Sequence, residues 1–320
     1  MVLSFALLIA GFILLVKGAD FFVDGSSSIA KLLKIPSIVI GLTIVAFGTS
    51  APEAAVSIIA GINDSNDIAM GNVIGSNMFN LLVVLGVSAA IKPVQIKDQI
   101  IKKDYPFMII ATVLLLVMSY DVLLGGETAN RISRGDAIIL LVFMGIFLYS
   151  VISSALRSRK ENIDSGEDDI PSYGVVKSLL FTIGGLAGII IGGQFVVDSA
   201  SDIAIRFGMS QTLVGLTIVA VGTSLPELVT SIVAARKGES DIAIGNVVGS
   251  NVFNILFVLA ASAVISPMNI NAQCLTDLLI LMAVTLVTYI FCVTKKRVNR
   301  AEGIVLTSVY VIYLAYAIIR

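Results

Sequence analysis

Two short segments of this 320-residue chain combine a carboxylate with helix-breaking residues inside an apolar stretch. Residues 48–53 read GTSAPE and residues 222–227 read GTSLPE. Pro removes a backbone donor and Gly adds backbone freedom, so nearby helical carbonyls lose their partners. Inside a membrane, such carbonyls are tolerated only when they are buried in protein or face a watery cavity or an ion. The segments therefore predict a cluster of oxygen ligands that includes Thr49, Ser50, Glu53, Thr223, Ser224 and Glu227.

A second motif follows each of these segments and supplies neutral oxygen atoms. Residues 67–80 read DIAMGNVIGSNMFN, and residues 241–254 read DIAIGNVVGSNVFN. In a helix, residues four apart share one face, which pairs Ser76 with Asn80 and Ser250 with Asn254. The GxxxG spacing in both copies also permits close helix packing. The remaining amides could line an ion path or tie helices together; they are Asn72, Asn77, Asn246 and Asn251.

Oxygen is the donor atom that hard cations such as Ca²⁺ prefer. Glu53 and Glu227, if brought face to face, would balance one divalent ion. Without a cation the two carboxylates would repel each other, and at least one would take up a proton. A structural ion pair is a poor alternative, since an acidic group at mid-membrane costs at least about 2.5 kcal/mol and no basic residue lies within either central span. A site that either binds a cation or takes up a proton is suited to exchange.

The composition excludes several classes of protein. Hydrophobic residues make up 57% of the chain and charged residues only 13%, a balance typical of a polytopic membrane protein. The net charge of −1 offers no basic face for nucleic acid. The absence of His removes the commonest ligand of zinc and copper, and we predict no bound cofactor.

Both motifs recur at an offset of 174 residues, which is typical of a duplicated membrane transporter. A span needs roughly 20 apolar residues. This predicts an all-α membrane protein with ten spans, near 2–30, 37–60, 67–90, 104–120, 134–155, 174–206, 211–236, 241–265, 273–294 and 301–319. The two five-helix halves would be residues 1–155 and 174–320, joined by a flexible cytoplasmic linker, 156–173. Because five is odd, the second half would be inverted relative to the first, with the second and seventh helices broken.

Lys and Arg residues predict the orientation of these spans. With the N-terminus outside, the inner loops collect sixteen of them and the outer side only four. Cytoplasmic loops are enriched in basic residues, so both termini are predicted to be extracellular. Lys17, Asp20 and Asp24 share the first helix, and either pairing of Lys17 with Asp20 or snorkelling of the side chains explains them adequately. An ion-entry role is the alternative, because Asp24 matches Asp198 at the same offset.

The repeated motifs resemble the two α-repeats of the cation/Ca²⁺ exchanger superfamily, in its prokaryotic, archaeal-type Na⁺/Ca²⁺ exchanger branch. The resemblance covers essentially the whole chain. It implies four mid-membrane cation sites formed by helices two, three, seven and eight, with helices one and six sliding to switch access. It adds the Ala46 and Ala220 carbonyls to the ligands. The full set is Ala46, Thr49, Ser50, Glu53, Ser76, Asn80, Ala220, Thr223, Ser224, Glu227, Ser250 and Asn254.

The chain departs from parts of this superfamily at three positions. Some members, including K⁺-dependent ones, carry Asp where this chain has Asn254, which argues against K⁺ co-transport. Gly75 and Gly249 stand where H⁺/Ca²⁺ exchangers usually carry a Glu in the third helix. The prediction is therefore a monomeric antiporter that exchanges Na⁺ for Ca²⁺, with H⁺/Ca²⁺ exchange as the alternative.

Two other classes fit the sequence less well. A channel would need a continuous pore and usually a ring of subunits. An intramembrane enzyme would need a nucleophile with a base, or a catalytic metal, and the chain has no His for either role. We therefore predict that the protein is not an enzyme.

Overall fold

The computed structural model describes residues 2–126, 128–165, 173–209 and 220–319, and this part of the chain is almost entirely helical. The first half contains α1 (Val2–Leu33), α2 (Ser37–Thr49), α3 (Ala51–Ile62), α4 (Asn66–Ile91), α5 (Tyr105–Met118), α6 (Asp121–Leu124) and α7 (Arg134–Ser165). The second half contains α8 (Val175–Arg206), α9 (Ala220–Thr223), α10 (Leu225–Lys237), α11 (Ser240–Ile265), α12 (Ala272–Lys295) and α13 (Arg300–Ile319).

Two short antiparallel ladders connect loops of the two halves. β1 (Val94–Gln95) pairs with β4 (Arg297–Val298), and β2 (Arg131–Ile132) pairs with β3 (Met268–Asn269). Beside the first ladder, Asp98 lies 2.6 Å from the Lys296 ammonium and 3.1 Å from that of Lys102. Hydrogen bonds from these two lysines lower the pKa of the Asp98 carboxyl.

The helices have the length and composition of membrane spans. In the described ranges, α1, α4, α7, α8, α11, α12 and α13 are each long and apolar enough to cross a bilayer, and the bent pair α2–α3 would add an eighth span. Their outer faces carry large exposed apolar side chains such as Ile138, Ile183 and Ile312. In water such a surface would be unfavourable, whereas lipid matches it. The chain therefore has a multi-pass, all-helical membrane fold.

Two of the ten predicted spans remain predictions. The predicted span 104–120 corresponds to α5, which is preceded by a π-helical turn, Ile100–Asp104. The predicted span 211–236 begins outside the described residues. The fifth predicted span continues as helix to Ser165, so the linker predicted to begin at residue 156 starts as regular helix. The rest of that linker, 166–172, lies outside the described residues.

Helices α4 and α11 form the centre of the protein. Within their most apolar windows, 72% of α4 and 78% of α11 is buried, against 11% for α13. These two helices carry the two copies of the second motif. The two copies of the first motif lie on α2 and α3 and on α9 and α10. The fold thus surrounds both motifs with protein.

Helices α1 and α8 lie against each other along a seam of glycines. A Cβ atom added at Gly18 would lie 2.8 Å from the Gly185 carbonyl oxygen, and one at Gly185 would lie 2.5 Å from the Phe22 nitrogen. Gly11 and Gly192 approach each other in the same way, at 2.8–2.9 Å. Only residues without a side chain permit this approach. The two helices therefore touch through backbone atoms.

Candidate ion-binding site

The first motif breaks its helix in both copies at a serine. Ser50, between α2 and α3, has φ −83° and ψ 8°, and Ser224, between α9 and α10, has φ −92° and ψ 6°. The following helices each have Pro as their second residue, and α2 and α3 meet at a bend of 50°. Glu53 and Glu227 are then the third residues of α3 and α10. The N-terminal end of a helix favours a negative charge, so each break supports its own carboxylate.

Each carboxylate accepts a hydrogen bond from the serine of the other copy. The Ser224 hydroxyl donates to Glu53 Oε1 at 2.8 Å, and the Ser50 hydroxyl donates to Glu227 Oε1 at 2.7 Å. Glu53 is 1% exposed and Glu227 is fully buried. The crossed hydrogen bonds thus hold both breaks together around one pair of buried acids.

Two asparagines of the second motif fix the turns that carry the carboxylates. The Asn72 amide donates to the Glu53 carbonyl oxygen at 3.2 Å, and the Asn246 amide donates to the Glu227 carbonyl oxygen at 3.3 Å. Each amide also donates to a hydroxyl at 2.9 Å, that of Ser57 or Ser231. These contacts attach α3 to α4 and α10 to α11, so the backbone of each Glu is held from outside its own helix.

Asn80 and Asn254 each begin a π-helical stretch. These stretches are Asn80–Val84 in α4 and Asn254–Leu259 in α11. A π-helical turn widens the helix by one residue and occurs frequently at functional sites. The amide nitrogen of Asn80 donates to Asn251 Oδ1 at 3.1 Å, and that of Asn254 donates to Asn77 Oδ1 at 3.2 Å.

Four buried side-chain oxygens of the candidate site have no hydrogen-bond donor. They are Glu53 Oε2, Glu227 Oε2, Asn80 Oδ1 and Asn254 Oδ1. A buried oxygen without a partner costs free energy, the more so when it is charged. A cation would satisfy these oxygens directly. Among the described residues no group of three or more His, Cys, Asp and Glu side chains is assembled, so the available negative charge is that of the two glutamates.

The other predicted ligands lie around this group with partners of their own. The Ser224 hydroxyl is 3.3 Å from the Ser76 hydroxyl, and the Ser250 hydroxyl is 3.4 Å from the Ala46 carbonyl oxygen. That carbonyl also accepts from the Ser50 amide at 3.0 Å. The Thr49 hydroxyl lies 3.0 Å from Asn246 Oδ1. Ala220 is the first residue described after a gap, so its carbonyl as a ligand stays a prediction.

Thr223 differs from its counterpart Thr49, because it lines a cavity. This cavity of about 640 Å³ lies between α3, α8 and the break before α10. Its walls include Pro52 and Pro226 at the two breaks and, along α8, the residues Gln194, Asp198 and Ser201. It extends to Ile205, one residue before the end of α8. The cavity thus runs from the two helix breaks along α8 toward the end of that helix.

The corresponding segment of α1 is covered by ionic contacts instead. The Lys237 ammonium, at the end of α10, lies 2.7 Å from Asp24 Oδ1 and 3.4 Å from Asp20 Oδ1. The Ser27 hydroxyl donates to Glu239 at 2.6 Å. Asp20 thus pairs with a lysine of a distant helix where pairing with Lys17 was one of two expectations, and snorkelling of Lys17 stays a prediction.

Sequence reasoning missed these contacts, although the sequence carried a signal for them. At the offset of 174, Lys237 and Glu239 correspond to Asn63 and Ser65. The copies therefore differ in charge where Lys237 and Glu239 contact α1. The π-helical turns at Asn80 and Asn254 had no signal in either motif.

The fold and this geometry define a multi-pass membrane protein with a buried, oxygen-lined site suited to cations. Comparison with known proteins gives the family: residues 3–153 and 177–319 match the profile of the sodium/calcium exchanger protein family. The chain belongs to that family. It is 34% identical over 323 residues to the inner membrane protein YrbG of Escherichia coli, covering 98% of this chain and 97% of YrbG.

Two further comparisons agree with this assignment. The chain is 33% identical over 341 residues to the sodium/calcium exchanger MaX1 of Methanosarcina acetivorans, covering 97% of each protein. Its structure matches that of the sodium-calcium exchanger NCX_Mj soaked with zero Na⁺ and Ca²⁺, with a TM-score of 0.84 and 31% identity over 99% of both chains. Family and fold are those of cation exchangers that move ions across membranes.

Proposed function

We propose that this protein is a secondary antiporter that exchanges Na⁺ for Ca²⁺. The observation that carries the proposal is the set of four partnerless oxygens, two from carboxylates and two from amides, buried between the two motif copies. Such a donor set suits Ca²⁺, which binds carboxylate and amide oxygens, and it also accepts Na⁺. The relatives named as sodium/calcium exchangers support the same pair of ions.

The transported ions would bind at the predicted residues of both copies. Glu53 and Glu227 together carry two negative charges, which one Ca²⁺ neutralises. Na⁺ entering the same site would have to use the same carboxylates, so Ca²⁺ and Na⁺ compete. This competition makes the movement of one ion conditional on release of the other, as antiport requires.

The proposed architecture has ten spans in two inverted halves, residues 1–155 and 174–320, with both termini outside. The reciprocal serine–glutamate contacts between copies support the two-half arrangement. The excess of basic residues in the loops assigned to the inside supports the orientation. In this orientation the cavity beside α8 faces outward, and Lys237 lies on the cytoplasmic side.

Access to the site would alternate between the two sides of the membrane. The described state has a cavity along α8 and ionic contacts over the equivalent segment of α1. In the alternate state the Lys237 contacts would be broken, and the cavity along α8 would be closed. Ions would thus reach Glu53 and Glu227 from one side at a time.

Exchange of H⁺ for Ca²⁺ is the second candidate. The burial of both carboxylates favours it, because a proton can replace the cation on either one. Against it stand Gly75 and Gly249, at positions where H⁺/Ca²⁺ exchangers of this superfamily usually carry a Glu.

Uptake of ⁴⁵Ca²⁺ into proteoliposomes tests the proposal. Vesicles are loaded with Na⁺, with K⁺ or to an acidic pH, and diluted into medium without that ion. We expect uptake only with the outward Na⁺ gradient, and loss of uptake in Glu53→Gln and in Glu227→Gln. The control Asp98→Asn, which removes an exposed carboxylate beside the β1–β4 ladder, should transport normally. Uptake driven by outward protons alone would favour the second candidate, and full activity of either Glu variant would refute the site.

A further inference from the structure

Four buried asparagines connect α4 and α11 in a closed set of hydrogen bonds. The side-chain amide of Asn77 donates to the backbone carbonyl oxygen of Asn251, and the side-chain amide of Asn251 donates to the backbone carbonyl oxygen of Asn77. Both distances are 3.4 Å. Their side-chain oxygens accept from the other two amides: Asn251 Oδ1 from Asn80, and Asn77 Oδ1 from Asn254. These four hydrogen bonds of Asn77 and Asn251 all cross the interface between the two motif copies.

These contacts decide which atom of Asn80 and Asn254 is free. A side-chain amide carries a donor nitrogen and an acceptor oxygen on one planar group. Because each nitrogen is held by the opposite helix, the oxygen of the same plane faces away from that contact. Those two oxygens, Asn80 Oδ1 and Asn254 Oδ1, are the ones without a donor. Rotating either amide by half a turn would present an NH₂ group in place of the oxygen.

We propose that Asn77 and Asn251 are positioning residues for ion binding: each fixes the amide of the other copy's ligand so that its oxygen faces the cation. Asn251 positions Asn80, and Asn77 positions Asn254. This inference rests on the proposed function, since it takes Asn80 and Asn254 as ligands. The ligand chemistry is that of a hard cation, which binds an amide through oxygen and is repelled by the amide hydrogens.

Helix packing alone does not account for this arrangement. The reciprocal contacts between Asn77 and Asn251 would already hold α4 and α11 together. Attaching Asn80 and Asn254 by their nitrogens adds two buried oxygens without partners, which an apolar contact would avoid. The unfavourable state is removed when a cation binds, so the arrangement favours ion binding rather than the empty protein.

A double-mutant cycle on purified full-length protein tests the assignment, with Ca²⁺ dissociation constants from equilibrium dialysis of ⁴⁵Ca²⁺. The variants are Asn251→Ala, Asn80→Ala and Asn254→Ala, with the two doubles that contain Asn251→Ala. In Asn251→Ala the side-chain nitrogen of Asn80 has no acceptor when the side-chain oxygen of Asn80 faces the ion. Because this ion-binding orientation is then less stable, we expect the dissociation constant for Ca²⁺ to rise about tenfold. The same change should have no further effect on top of Asn80→Ala, but its full effect on top of Asn254→Ala.

A purely structural role would give a different pattern. If Asn251→Ala weakens Ca²⁺ binding equally in the Asn80→Ala and Asn254→Ala backgrounds, the positioning role is refuted. It is also refuted if Asn80→Ala weakens binding while Asn251→Ala does not, and the proposed site then stands. If neither Asn80→Ala nor Asn254→Ala changes the dissociation constant, the proposed ligand set itself is wrong. Should Asn251→Ala fail to fold, Asn77→Ala provides the mirror cycle, in which coupling is expected with Asn254 and not with Asn80.

Discussion

Removing the Lys237 ammonium should open the side of the protein that its contacts now close. In the described state Lys237 bridges α10 and α1 through the carboxylates of Asp20 and Asp24, and it also donates to the Asp20 carbonyl oxygen at 2.8 Å. Lys237→Met keeps most of the side-chain length and removes all three contacts. In the proposed alternate state α1 has moved away and makes no such contacts, so that state would lose nothing.

The size of the effect follows from the exposure of these groups. The side chains of Lys237 and of the two aspartates are 28% and 35% exposed, so solvent screens their attraction. A partly exposed ion pair contributes about 0.2–1 kcal/mol, and a hydrogen bond from a charged group somewhat more. We expect a total of about 1–2 kcal/mol, which shifts the equilibrium between the two access states by a factor of about 5–30.

Cysteine labelling can read that shift directly. Val229 corresponds to Ala55 at the offset of 174; Ala55 lines the cavity beside α8, whereas Val229 packs against the core. A cysteine at Val229 should react with a charged, membrane-impermeant thiol reagent only while the Lys237 side is open. Both native cysteines, Cys274 and Cys292, are buried. We expect Lys237→Met to raise the labelling rate of Val229→Cys by the factor above.

Lys102→Met is the matched control, because Lys102 pairs with Asp98, four residues earlier in the chain, and does not bridge α10 to α1. Its labelling rate at Val229→Cys should equal that of the parent. An unchanged rate in Lys237→Met, or an equal rise in both lysine variants, would refute the argument that the Lys237 contacts hold this side closed.

Three further predictions concern the site and the seam. The apparent affinity for Ca²⁺ should fall as pH falls, since protons compete for Glu53 and Glu227; equilibrium dialysis at decreasing pH checks this, and a constant affinity would contradict it. Asn254→Asp adds a third carboxylate and should raise the affinity for Ca²⁺ or change the monovalent-ion requirement of transport; unchanged ion dependence would argue that position 254 is not a ligand. Gly185→Ala should destabilise the protein by about 1–3 kcal/mol, because its Cβ would lie 2.5 Å from the Phe22 nitrogen, whereas at Gly184 no described atom lies within 4 Å. Thermal unfolding in detergent compares the two alanine variants, and equal midpoints would contradict the close contact.

The residues of the candidate site could be proposed from the sequence because a duplication displays them twice. Placing Glu53 and Glu227 in apolar stretches costs free energy. Because this cost recurs at the same offset, it indicates a shared function of the two residues. The position of each break also followed from local chemistry, since Gly and Pro act on their own helix. Seven helices and the bent pair agree with the predicted spans within the described residues.

The cross-copy contacts were not accessible in the same way. Ser50 donates its hydrogen bond to Glu227 and not to Glu53, which is nearer in the sequence. This choice depends on how two breaks that are distant in the chain are oriented in space. Likewise Asp20 has a basic neighbour three residues away, yet its partner is Lys237. Local spacing predicts pairing with the nearest charge in the sequence. In the folded protein, the partner can be any charge that tertiary packing brings close. The helical extension to Ser165 was missed because polar composition was taken to indicate a flexible segment.

The glycine seam between α1 and α8 has a consequence for leakage. Asp20 and Asp24 lie on one of these helices, and the cavity-lining Gln194 and Asp198 lie on the other. At the glycine positions backbone lies against backbone, so few side chains there can adjust to a displacement of one helix relative to its neighbour. If access to the site alternates as proposed, we expect a shift that frees α1 from Lys237 to carry α8 with it across the cavity on the opposite side. Such coupled movement would oppose simultaneous opening on both sides, which would dissipate the ion gradients, however tightly any ion is bound.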